Sequence, residues 1–164
     1  MKNTRNFCIY SKMSELEIWS IGTSNRSIEG FLNLLAAYRI EAVVDVRRYP
    51  TSRHKHFKQE HLKASLNQCG IEYHHVTELG GYRKGGYTKY MKTGEFEKGL
   101  HYVEILARSK RVAIMCAERL FSSCHRRFIA DVLKLHGLTV IHIIDPGLCS
   151  EHKGRKRNKR LDEF

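Results

Sequence analysis

Short apolar runs alternate with stretches of helical periodicity through the middle of the chain, and that alternation limits the possible folds most severely. Glu17 to Ile21 reads as a strand. Ile28, Phe31, Leu32 and Leu35 then fall at i, i+3, i+4 and i+7, one face of a helix begun at Ser27. Ala42 to Val46 reads as a second strand, Gln59 to Cys69 as a helix closed by Gly70, and Ile71 to His75 as a third strand. After a Gly-rich loop from Gly80 to Gly86, a helix follows Thr93, marked by Phe96, Leu100 and Val103. Val112 to Met115 is a bare apolar strand suited to burial on both faces. Ile129, Val132, Leu133 and His136 mark a helix capped by Ser122 or Ser123 and ended by Gly137, and Val140 to Ile144 is the last strand. This order predicts a single α/β domain, Rossmann-like, with a mostly parallel five-stranded sheet and helices on both faces. Right-handed crossovers bring the C-terminal ends of the parallel strands to one edge, where open sheets bind their ligands.

The chain of 164 residues suits one domain. Residues 1–14 are polar and aperiodic and are expected to be a disordered extension, with Met13 an alternative start; 15–150 form the α/β domain. Residues 151–164, with six basic and three acidic groups, are expected to be a disordered basic tail. The longest apolar run, Val112 to Ala117, is six residues, against the roughly 20 of a membrane span. No signal peptide is evident, so the expected location is the cytoplasm. Five cysteines at irregular spacing (Cys8, Cys69, Cys116, Cys124, Cys149) then read as free thiols.

The formal net charge is +12, a surplus that favours nucleic acid, nucleotides or other phosphorylated ligands as partners, or simply keeps the protein soluble. Residues 47–63 carry six basic groups and one acidic, and residues 108–127 repeat that count. Both clusters border strand ends. So do the reactive groups. Gly22, Ser24, Asn25 and Arg26 follow the first strand, where backbone N–H groups at a helix start could hold an anion or merely cap the helix. Asp45 ends the second strand beside Arg47 and Arg48, a structural ion pair or an anion clamp with an orienting acid. Glu78, Gly80 and Gly81 follow the third. Cys116 and Glu118 follow the fourth, and Cys124, His125 and Arg126 open the next helix, whose first turn lowers a thiol pKa. Four readings of the cysteines remain open here: a thiolate nucleophile served by His125, two inert core thiols, a redox pair, or a metal site. The spacing Cys-x7-Cys-His is not a usual zinc pattern, so no metal or other cofactor is expected. Asp45, Glu78 and Glu118 together could also run acid/base chemistry, including glycosidic bond cleavage. The His- and Tyr-rich stretches around Tyr49, His54, His56, Tyr73, Tyr82 and Tyr87 make a cationic aromatic surface of the kind that stacks bases.

Six ordered motifs carry a family resemblance: Ile21-Gly22-x-Ser24-Asn25-Arg26-Ser27, Val44-Asp45-Val46-Arg47-x-x-Pro50, Gly70-Ile71-x-Tyr73, Glu78-Leu79-Gly80-Gly81, Met115-Cys116-Ala117-Glu118 and Cys124-His125-Arg126. Over residues 17–145 the chain resembles the domain-of-unknown-function family DUF488, which implies a compact α/β domain and no settled activity. It is also similar in outline to rhodanese domains, through Val44-Asp45-Val46-Arg47 and the strand-ending Cys116. It departs from them in the loop after Cys116, which lacks glycine, and in Cys124-His125-Arg126. The phosphatase spacing of Cys, five residues and Arg is absent, because Ser122 stands at the arginine position.

Together these readings lead to an enzyme acting on a phosphate-bearing substrate, a nucleotide or nucleic acid. Its nucleophile would be Cys116 or Cys124 and its proton carrier His125. Asp45, Glu78 and Glu118 would be the acid/base or orienting groups, and Arg26, Arg47, Arg48 and Arg126 the anion binders. The alternatives are a non-catalytic nucleic-acid-binding or regulatory module, and a cysteine-based sulfur-transfer or redox protein.

Overall fold

Strand β1 (Glu17–Gly22) sits at the heart of the molecule, and successive residues serve opposite faces of the sheet. Ile18 enters one core with Ala42, Val44, Val112 and Ile114, while Trp19 and Ile21 enter the other with Val43, Ala113 and Met115. The computed structural model describes residues 15–154; the expected N-terminal extension and residues 155–164 of the expected tail lie outside them. The remaining elements are α1 (Ile28–Ala37), β2 (Ala42–Asp45), α2 (Gln59–Gln68), β3 (Glu72–His75), α3 (Tyr87–Tyr90), α4 (Gly94–Ala107), β4 (Val112–Cys116), α5 (Arg126–Leu135), β5 (Thr139–Asp145) and β6 (Leu148–Glu151).

The sheet order is β3-β2-β4-β1-β5-β6. Strands β1 to β5 pair in parallel and β6 pairs antiparallel with β5. Phe31, Leu34 and Leu35 of α1 and Leu62 and Leu66 of α2 cover one face; Phe96, Leu100 and Val103 of α4 and Ile129 and Leu133 of α5 cover the other. The protein is thus α/β with a six-stranded mixed sheet and five helices, where five strands were expected. The sixth follows a reversal at Pro146-Gly147, with Gly147 at φ +69°. As an edge strand it is mostly exposed and has no apolar run to betray it. Order also continues past the expected boundary at residue 150: Glu151 ends β6 and His152 is buried.

Ser27 caps α1 by accepting the Gly30 N–H at 3.0 Å, and Thr93 caps α4 by accepting that of Phe96 at 3.4 Å. Helix α5 differs from expectation. It starts at Arg126 without a side-chain cap, and Ser122 and Ser123 lie in a preceding 3-10 turn, Phe121–Ser123. The N-terminal edge of the sheet gathers both ends of the described chain. Thr139 N–H donates to the Leu16 carbonyl at 2.9 Å, and His152 N–H to that of Val140 at 2.8 Å. Everything after β1, β2 and β4 emerges at the opposite edge.

Candidate functional site

Cys116 ends β4 at that edge, beside Gly22 of β1. The chain then loops through residues 117–125 and returns Cys124 to it, placing the two Sγ atoms 3.0 Å apart in a hydrogen bond. His125 Nδ1 lies 3.6 Å from the Cys124 sulfur and 4.0 Å from that of Cys116. The other ring nitrogen, Nε2, is 2.8 Å from the Val46 carbonyl oxygen. A carbonyl only accepts, so Nε2 carries the proton, and in the neutral ring Nδ1 offers its lone pair to the sulfurs. Tyr87 supports the imidazole edge-on, with ring centroids 5.4 Å apart. A side chain at Gly81 would bring its Cβ within 3.1 Å of His125 Nδ1.

Two backbone N–H groups also point at the sulfurs: that of Arg126 reaches Cys124 at 3.5 Å, and that of Glu118 favours the ionised form of Cys116. Hydrogen bonding from Cys116 pulls the Cys124 thiol well below its usual pKa against the opposing effect of burial, with help from His125 and Arg126. The Cys116 thiol moves the other way, first because its hydrogen bond serves the Cys124 thiolate, then because it is buried. The pair therefore loses one proton readily, with charge on Cys124, and holds the second on Cys116. Both sulfurs belong to residues only 6% exposed, yet both line a cavity of about 480 Å³ with His125, Tyr87, Tyr49 and Tyr82.

The arginines expected to bind an anion are largely engaged by the protein itself. Arg47 forms a two-pronged ion pair with Asp45, Nε to Oδ1 at 2.9 Å and Nη2 to Oδ2 at 2.6 Å, and gives Nη1 to the carbonyls of Phe57 and Thr51. Asp45 is fully buried and also accepts the Tyr73 hydroxyl at 2.6 Å, so the pair ties β2 to β3 and to the following loop. Arg126 is 1% exposed; it donates to Ser20 Oγ at 2.8 Å and to the Glu118 carbonyl, which fixes the floor of the loop after β4. Arg26 pairs with Asp145 at 3.2 Å and donates to the carbonyls of Gly22 and Ile144. The reason is general: a buried guanidinium needs acceptors, and loop carbonyls supply them. Arg48 donates to the Tyr82 carbonyl and faces the cavity.

In the expected anion cradle after β1, two backbone donors are already used. The N–H groups of Thr23 and Ser24 donate to the carbonyls of Cys116 and Ala117 at 2.9 and 2.8 Å. A Cβ at Gly22 would stand 1.9 Å from the Glu118 oxygen, so glycine permits that contact. Ser24 and Asn25 line a neighbouring polar cavity of about 550 Å³ with Arg53 and Arg119. Gly80 packs against the Arg48 backbone, where a Cβ would meet Cα at 2.6 Å. The carboxylates do not converge: Asp45 is committed to Arg47, Glu118 is exposed at the rim, and Glu78 lines a separate cavity with His75 and Tyr102. No carboxylate pair suited to glycosidic cleavage forms among them.

Cys116, Cys124 and His125 are also the group among the described residues that could hold a metal ion, with donor atoms within 4.8 Å of one another. Thiolates on a tetrahedral zinc stand about 3.7 Å apart, given Zn–S bonds of about 2.3 Å. In this structure the two sulfurs are 3.0 Å apart. The Val46 carbonyl, Thr51 and Ser123 were not singled out as site residues from the sequence, and Tyr87 was named only as one ring of a base-stacking surface. Tyr87 and Val46 carried one usable signal, their nearness to the Gly-rich loop and to Asp45.

Residues 27–133 match the family described as domain of unknown function DUF488, which covers more than half of the chain. The chain belongs to the DUF488 family. Searches of curated proteins and of solved structures found no match. The matched DUF488 segment contains the whole Cys116–Cys124–His125 cluster, and its fold positions that cluster as described above.

Proposed function

We propose that this DUF488 protein is an enzyme in which Cys124 is the nucleophile, Cys116 steadies its thiolate, and His125 carries the proton. The observation that supports this most is the His125 ring: one nitrogen is bound to the Val46 carbonyl, and the other is turned to two sulfurs at the wall of an open cavity. The proton leaving Cys124 passes to Nδ1, giving a thiolate–imidazolium pair. Attack on an electrophilic centre forms a bond to sulfur and breaks the bond to the leaving group, which takes the His125 proton. Water, deprotonated by the same nitrogen, then cleaves the covalent intermediate and restores the thiolate. The net charge of +12 and the cavity-lining Arg48 and Arg53 favour a phosphate-bearing substrate, a nucleotide or nucleic acid.

The spacing of the sulfurs supports a second reading, thiol–disulfide exchange or sulfur transfer. Here Cys124 attacks a substrate disulfide and expels one thiol. Cys116, having passed its proton to His125, displaces the other and closes a Cys116–Cys124 disulfide, which an external dithiol reduces.

Alkylation tests the thiolate. With iodoacetamide and peptide mapping, Cys124 should react fastest and keep most of its rate at pH 6, while the exposed Cys69 and Cys149 serve as the comparison. A Cys124 rate that merely parallels theirs from pH 5 to 9 would sink the reading. Treatment with oxidised glutathione separates the two chemistries: a loss of two hydrogens across Cys116 and Cys124 marks the exchange route.

A further inference from the structure

Folding gives no account of two tyrosines on the cavity rim. Tyr49 is 64% exposed and Tyr82 is 89% exposed, among the most exposed large side chains of the described residues. Tyr82 also holds φ at +55°, a left-handed backbone conformation that bulky residues seldom adopt and that marks functional segments. One side chain governs both. Arg48 donates to the Tyr82 carbonyl, and its guanidinium lies over the Tyr49 ring, 5.4 Å from the centroid. Behind them, the hydroxyl of Tyr87 is tied to the Leu79 carbonyl at 2.7 Å, which leaves its ring to form the inner wall. All three rings line the cavity that contains Cys116 and Cys124.

That cavity adjoins the polar one beside it, and Thr51, Ala117, Glu118 and Ser123 line both. The second is furnished with hydroxyls and amides from Thr23, Ser24, Asn25 and Ser52, and with Arg53. An aromatic chamber adjoining a hydroxyl-rich, cationic one has the division of a nucleotide: a flat π-face at one end, sugar and phosphate at the other. An apolar peptide side chain would use the rings and leave the polar chamber unmatched.

We propose that Tyr49 and Tyr82, set by Arg48, form a stacking platform for an unpaired nucleobase, whose sugar-phosphate runs into the Thr23–Arg53 chamber past the cysteines. The inference deepens the functional reading above and rests on the same cavity. Its ligand, a nucleobase with an attached phosphate, can be a free nucleotide or a residue of a single strand.

Fluorescence anisotropy of a labelled oligothymidylate, with uridine monophosphate and ribose 5-phosphate as competitors, tests it. Both tyrosines are exposed, so Tyr49→Ala and Tyr82→Ala should keep the wild-type circular dichroism and each weaken binding about tenfold, while Tyr49→Phe and Tyr82→Phe stay within about twofold. Ribose 5-phosphate should fail to displace the strand. Displacement by the mononucleotide at its own binding concentration identifies the free nucleotide as sufficient; displacement only by unlabelled strand identifies the polymer. The proposal is overturned by unchanged affinity in both alanine variants, by ribose 5-phosphate competing as well as the nucleotide, or by no saturable binding of strand or nucleotide up to millimolar concentration. Alkylation of Cys124 in the wild-type protein reports on the thiolate separately, so failure of one claim is distinguishable from failure of the other.

Discussion

Two sulfurs 3.0 Å apart cannot ionise independently, since a second negative charge at that range in a buried site is prohibitive. Once Cys124 is ionised, Cys116 keeps its proton and donates it, and is therefore as much a part of the Cys124 thiolate as the histidine is. Replacing Cys116 with alanine removes the hydrogen bond that most lowers the Cys124 pKa, so that pKa must rise. The alkylation rate of Cys124 at pH 6 should then fall about tenfold, as expected once its pKa stands about one unit above that pH, and recover as the pH approaches 9. Cys116→Ser, which retains a hydroxyl donor, should fall less. An alanine variant as reactive as wild type at pH 6 would show that His125 and the backbone N–H groups suffice. At this same scale, Asp45 and Arg47 show how chemistry-bearing residues can be structural. The carboxylate is fully buried, and removing its partner would leave a charge whose exposure to the interior costs about 3–5 kcal/mol.

Among the elements, the loop from 117 to 125 governs the site, and its anchorage runs through β5 and β6. Phe121 stacks on His142, with centroids 3.5 Å apart and planes within 4° of parallel. His142 Nε2 is 3.0 Å from His152 Nδ1, and His152 Nε2 is 2.8 Å from Asp131 of α5. With His152 donating to the carboxylate, its Nδ1 accepts from His142, and the buried His142 Nδ1 is left as an acceptor without a hydrogen bond. Burial, then the neighbouring His152 and Arg126, push His142 down to about 3. A histidine depressed in the folded state is protonated more in the unfolded one. Its contribution is whole above pH 6.5 and drains away as the pH falls toward 3. The melting temperature should decline between pH 7 and pH 5, and His142→Phe, which keeps the stack, should flatten that decline. Equal slopes for variant and wild type in a calorimetric pH series would rule the mechanism out.

Five strands, four of the five helices and most of their caps were legible because apolar spacing and Gly stops report directly on burial, as at Val112–Cys116 and Gly137; the four-residue α3 (Tyr87–Tyr90) fully buries no side chain and gave no such signal. The polar edge strand Leu148–Glu151 was not, since it buries little. The meeting of Cys116 and Cys124 was readable as a consequence of topology. The inward turn of Arg26, Arg47 and Arg126 was not, because it depends on carbonyls whose positions no one-dimensional pattern encodes.

For the molecule as a whole, the charge of +12 predicts that strand binding is sensitive to ionic strength. Affinity for oligothymidylate should drop about tenfold between 50 and 200 mM salt, the slope for two or three neutralised phosphates on a single strand. A flat response would mean that stacking alone holds the ligand. No helix among the described residues is long and apolar enough to cross a membrane. The placement of the chain ends has a practical side. Leu16 and His152 both border the start of β5, at the edge of the sheet away from the cysteines. Contacts made around Leu16 and His152 therefore fall on the rear of the protein, and the mouth that holds the sulfurs opens on the opposite side.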